Sequence, residues 1–152
     1  MASSRKPIIG ITLGDLTTGY LSQRLQNRKR VMAAFLGITT LVGAAYFLLG
    51  SRSLAVYYGL CFALGWSSGY WAVFITMSAE QFGTNLRATV ATTAPNFVRG
   101  ATVPLTLAFR ELGPIMGPTR TAVLLGSLSL VVAAVALRQL DETWGRDLDF
   151  VE

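Results

Sequence analysis

Apolar runs separated by short charged patches organise this chain. Residues 7–23 carry one charge, Asp15; residues 31–51 and 53–79 carry none; residues 88–109 carry one, Arg99; residues 121–137 carry none. A helix that crosses a bilayer needs about 20 predominantly apolar residues. The pattern therefore predicts five transmembrane helices, at about 7–23, 31–51, 53–79, 88–109 and 120–138, followed by a cytoplasmic tail over 139–152. The fourth run is the most polar and holds Pro95 and Pro104. A kinked helix is expected there, because proline removes a backbone donor from the helix ladder.

Composition agrees with the pattern. Of 152 residues, 52% are hydrophobic and only 14% charged, and mean hydropathy is +0.49. A soluble chain carries roughly 25% charged residues. The expected class is an all-α, multi-pass integral protein of a plasma or inner membrane. The length accommodates five or six spans but not twelve. The chain has no His, which removes the commonest general base and imidazole metal ligand. Its single cysteine, Cys61, excludes an internal disulfide and a cysteine-built zinc site. No enzyme activity and no cofactor are expected. The net charge of +5 sits between apolar runs, so it reads as a topology signal rather than a nucleic-acid surface. A signal peptide does not fit the first run: Asp15 would lie inside its apolar region, and no small-residue cleavage site follows.

The basic residues set an orientation. Arg24, Arg28, Lys29 and Arg30 place four positive charges within seven residues, so this loop is expected on the cytoplasmic side. Alternation puts Arg52 outside, Glu80–Arg87 inside, Arg110–Arg120 outside and the tail inside. The N-terminus, with Arg5 and Lys6, then falls outside, against the rule. That conflict leads to the expectation that the bundle naturally begins upstream.

Three loops carry family-like signatures. Gly19-Tyr20-Leu21-Ser22-Gln23-Arg24, followed by Arg28-Lys29-Arg30, resembles the G-x-L-x-D-R-x-G-R-K loop of the major facilitator superfamily of secondary transporters, with Gln23 in place of Asp. Glu80-Gln81-Phe82-Gly83-Thr84-Asn85-Leu86-Arg87-Ala88 is similar to the E-x-F-P-T-x-x-R-A segment of the same superfamily, with Gly83 in place of Pro. Glu142-Thr143-Trp144-Gly145-Arg146 resembles the E-T-x-G-[KR] tail of sugar porters and their relatives. The three occur in family order on one expected face, and the resemblance spans the chain from Gly10 to its end. It implies helices eight to twelve of a twelve-helix transporter, a partial C-terminal bundle whose N-terminal helical half is a missing partner.

Charges inside spans need a reason. Asp15 has eight residues of its run on either side, and Arg99 has eleven uncharged residues before it and ten after. Both are expected near the bilayer midplane, as a substrate or proton-coupling site or as a structural ion pair; a shifted first span would bring Asp15 nearer the surface. The resemblance implies that both helices line a central cavity. Asn96 and the threonines around it make the fourth span the best cavity wall, with Asn96 assisting Arg99. The third span carries Gly65-Trp66-Ser67-Ser68-Gly69, then Tyr70 and Trp71. This is close helix packing with aromatic filler, or an aromatic wall for a sugar or flat organic solute.

The function these readings imply is secondary active transport of a small solute, a sugar or organic ion, coupled to a proton through Asp15. The resemblance implies a cytoplasmic gate of Arg24, Arg28, Glu80 and Arg87, in which Glu80 reaches Arg24 or Arg28. The lipid bilayer, the solute and the proton are the expected partners. The alternatives are a membrane fragment or assembly partner that does not transport, and a small dimeric exporter.

Overall fold

The structure, a computed structural model, describes residues 2–145. Those residues form helices and no strands. In chain order they are α1 (Ala2–Leu25), α2 (Arg28–Leu49), α3 (Leu54–Ser67), α4 (Trp71–Glu80), α5 (Thr84–Gly100), α6 (Thr102–Met116) and α7 (Pro118–Gln139). Three helices are long and apolar enough to cross a membrane: Arg28–Leu49, Leu54–Glu80 taken through its break, and Pro118–Gln139. The chain thus has the helices of a membrane protein. Arg146 and the rest of the expected tail lie outside the described residues.

The helices run further than the apolar runs. Charge ends an apolar run, but Arg, Lys and Glu are good helix formers, so a helix continues into the charged zone. The expected loop over Arg24–Arg30 shrinks to Gln26 and Asn27, the loop over Glu80–Arg87 to residues 81–83, and the loop over Arg110–Arg120 to Gly117 alone. Gly117 turns there at φ 85°, in the left-handed region that glycine tolerates best. Two expectations about helix continuity change. The third expected span is not one helix: it breaks at residues 68–70 between α3 and α4. The fourth expected span is divided at Ala101, between its prolines. Pro104 falls in the first turn of α6, where the missing N–H is harmless, whereas Pro95 lies buried inside α5.

Packing divides the chain into two compact units. One covers Met1–Met77 and is joined by the stretch that begins at Asp141; the other covers Ser78–Leu140. In the first unit α1 packs on α3 and α2, and α2 packs on α3. Two local signals fix the corners. Asn27 caps α2, its side chain accepting the Arg30 N–H at 2.8 Å, and Ser53 caps α3 by accepting the Val56 N–H at 3.2 Å. Val31, Met32 and Phe35 bury the first turns of α2. Further along α2, Leu41 and Leu48 stand 72% and 75% exposed, a face that water would not tolerate over such a length.

In the second unit α6 packs along α7, with a smaller contact between α5 and α6. Thr121 and Leu137, near opposite ends of α7, are its buried residues, and α6 buries none. Val131 and Val132 on α7 are about 60% exposed. Apolar outer faces of this kind are satisfied by lipid or by other helices, not by solvent.

Candidate functional site at the broken third span

The α1–α3 contact is made backbone to backbone. Gly10 and Gly14 are one turn apart on α1. A Cβ at Gly10 would stand 2.6 Å from the Phe62 carbonyl oxygen, and a Cβ at Gly14 would collide with the Trp66 carbonyl oxygen and come within 2.8 Å of the Gly69 Cα. A Cβ at Gly69 would in turn run into the Gly14 backbone. Small residues at this spacing let two helices approach until their backbones touch. Within Gly65–Gly69 both glycines are buried, and Trp66 lies against Phe35 of α2 with ring centroids 5.1 Å apart.

That close approach sets the α3–α4 break beside polar groups of two neighbours. Thr18, fully buried on α1, donates its hydroxyl to the Gly69 carbonyl at 2.6 Å. Thr39 of α2 donates to the Ser67 carbonyl at 2.9 Å. Asp15 of α1 accepts the Ala72 N–H at 3.3 Å, at the start of α4. The carboxylate thus stands where the positive end of a helix dipole favours it. Interrupting a helix frees backbone carbonyls and N–H groups, which inside a membrane need protein or water partners. Here two hydroxyls and one carboxylate supply them.

Of the sequence-derived pathway residues, Asp15, Tyr70 and Trp71 therefore gather at the break. Asp15 and Tyr70 are half-buried, and Trp71 is in contact with Phe74 at 5.5 Å between ring centroids. Asn96 and Arg99 belong to the second unit, on α5. Asn96 donates its side-chain amide to the Thr92 carbonyl at 3.1 Å, and Arg99 is exposed near the C-terminal end of the helix. The threonines around them likewise return their hydroxyls to carbonyls one turn back.

A second polar cluster lies at the start of α2. Glu142 accepts the Arg28 N–H at 3.0 Å through Oε1 and the Lys29 N–H at 2.9 Å through Oε2. Its Oε1 also accepts the N–H groups of Thr143 and Trp144, each at 3.1 Å. The Arg28 guanidinium carbon stands 5.5 Å from the centroid of the Trp144 ring, a cation–π distance. Thr143 beneath is 2% exposed. Partial burial works to raise the Glu142 pKa, but the N–H groups of Lys29, Trp144, Arg28 and Thr143 outweigh it and hold the carboxyl below its usual range. Of the expected gate residues, Arg28 belongs to this cluster, and Arg24 donates to the Tyr20 hydroxyl at 3.2 Å. Glu80, 6% exposed, and the half-buried Arg87 lie in the second unit.

Sequence reading missed Gly10, Gly14, Thr18, Thr39 and the capping role of Glu142. The first three form a small-residue series at four-residue spacing on α1, the signal already noticed at Gly65–Gly69. Thr39 carried no signal that separated it from other threonines. Glu142 stood in a recognised tail motif, yet nothing in one dimension joined it to a helix start more than a hundred residues away. Among the described residues no three His, Cys, Asp or Glu side chains gather to hold a metal. Comparisons of this chain with protein-family models, with curated proteins and with solved structures find no match.

Proposed function

We propose that the chain is part of a secondary transporter of the major facilitator kind, moving a small solute through a path that passes the α3–α4 break. The observation that carries this reading is the break itself: a helix long and apolar enough to span is interrupted, and a half-buried carboxylate, Asp15, is held at the interruption. Transporters place solute and ion sites at such discontinuous helices, because unwound backbone and helix ends offer polar groups at membrane depth. Five membrane crossings are part of the proposal, by α1, α2, α3–α4, α5–α6 and α7. Asp15 serves as the proton-accepting group, Tyr70 and Trp71 as an aromatic wall, and Asn96 and Arg99 as polar pathway groups on α5. A further helical bundle completes the path. Glu142 and Arg28 fasten the tail to the basic loop, and Glu80 and Arg87 are gate residues on the cytoplasmic side.

The test is reconstitution into proteoliposomes with an imposed proton gradient, following uptake of labelled sugars and small organic ions. Gradient-driven uptake that falls at least tenfold in Asp15→Asn is the expected result. Gradient-insensitive uptake, equal in both proteins, sinks the proton role. The absence of uptake in the presence of every co-expressed membrane partner favours the second reading, an assembly subunit that does not transport. That reading draws on the bare faces of the second unit, where Phe97 is 81% and Ile115 is 79% exposed.

A further inference from the structure

The geometry points to a pin at the α3–α4 break: the charge of Asp15 keeps α4 seated, and losing that charge frees α4 to tilt about Ser68–Tyr70. This rests on the same Asp15 that the transport reading uses, and it assigns that residue a conformational task.

The two sides of the break are held very differently. The α3 side is fixed twice over. Thr39 bonds the Ser67 carbonyl, Thr18 bonds the Gly69 carbonyl, and the Gly14–Gly69 backbone contact leaves no room for sliding. Both threonine bonds are short, and neither hydroxyl changes charge. On the α4 side the first turn is tied by a side chain of α1. Among the described residues, Asp15 is the only side chain of another helix that bonds the first turn of α4. Its bond to the Ala72 N–H, at 3.3 Å, is the longest of the three and the most exposed. Within α4, the Thr76 hydroxyl turns back to the Ala72 carbonyl and so adds no tie to a neighbour. Tyr70 is the one ionisable side chain within the break.

The bond depends on charge in two ways. A carboxylate accepts roughly twice as strongly as a neutral amide oxygen, and its negative charge lies against the positive end of the α4 dipole. Neutralising Asp15 weakens both at once. Val73 and Met77, 5% and 1% exposed, keep α4 packed, so the expected response is a tilt rather than detachment. The Ser67 and Gly69 carbonyls are bonded to the neutral hydroxyls of Thr39 and Thr18, so Asp15 is the charged partner at the break.

Spin-label distances across the break test this in the full chain in lipid nanodiscs. Labels go at Ala55→Cys on α3 and Thr76→Cys on α4, both exposed, in a Cys61→Ser background. A control pair, Leu13→Cys with Ala55→Cys, reports the α1–α3 contact. Parent protein should give one narrow distance for the pair across the break. Asp15→Asn, which keeps an acceptor oxygen but no charge, should broaden it or add a second distance, and Asp15→Ala should do so more strongly. The control pair should stay unchanged in both variants. A narrow, unshifted distance across the break in both variants overturns the pin. Broadening of the control pair to the same extent also overturns it, because the whole unit has then loosened. Uptake measured on the same variants separates the two ideas. A broadened break with full uptake keeps the pin and removes Asp15 from the solute path; a rigid break with lost uptake does the reverse.

Discussion

Replacing Glu142 should loosen the tail from the start of α2 by an amount that depends on which oxygen is lost. The carboxylate accepts four N–H groups, two from its own tail and two from α2. Only the bonds to Arg28 and Lys29 fasten tail to helix. Losing a capping acceptor typically costs about 0.5–2 kcal/mol, and a charge at a helix N-terminus adds about 0.3–1 kcal/mol. The site is partly exposed, so the lower part of the combined range applies: about 1–2 kcal/mol for Glu142→Ala. Glu142→Gln keeps an oxygen for Arg28, Thr143 and Trp144 but turns an amide N–H2 towards the Lys29 N–H. About half the loss is expected. The pH dependence follows from the lowered pKa, which means that the folded protein binds a proton less readily than the unfolded chain. The stabilisation is therefore fully present above the ordinary carboxyl range and fades as pH falls through the lower folded value. Thermal unfolding in detergent, followed by Trp fluorescence, should show Glu142→Ala melting below the parent at pH 7. The difference should be flat up to pH 8 and should shrink under acid conditions. A variant as stable as the parent at pH 7, or a difference that grows on acidification, refutes the clamp.

Other substitutions test separate features. Gly14→Leu should force α1 and α3 apart and destabilise the first unit by more than about 2 kcal/mol, read as a lower melting temperature, since backbone atoms already fill the space a side chain would need. Gln26→Gly should stabilise the α1–α2 corner by up to about 1 kcal/mol: Gln26 holds φ 49°, and a non-glycine residue pays roughly 1–2 kcal/mol there, part of which glycine's own chain entropy returns. Reporter fusions after Arg30 and near Arg52 should lie on opposite sides of the membrane, the first cytoplasmic; the same side for both would show that α2 does not cross.

Apolar runs made the all-helical class and the three long apolar helices legible, because exclusion of charge over about 20 residues is a strong one-dimensional signal. Their ends were not legible, since Arg24, Arg87 and Arg110 stop an apolar run without stopping a helix. The break at residues 68–70 was half visible. Gly65 and Gly69 announced close packing, but packing partners are set by the facing helix, and the matching series Gly10, Gly14 and Thr18 had to be read with them. Once α1 and α3 are joined at those glycines, the position of Asp15 follows from geometry: it is the residue next to Gly14, and Gly14 touches Gly69. A carboxylate one residue along from that contact arrives at the first turn of the following helix. The charge that looked unexplained in a linear apolar run is therefore tied to the glycine contact, and moving either glycine by one position would take Asp15 away from α4. Arg99 has no such local determinant. Its neighbours on α5 satisfy their hydroxyls and amide within their own helix, so its role depends on what packs against that helix, which the sequence of α5 alone does not encode.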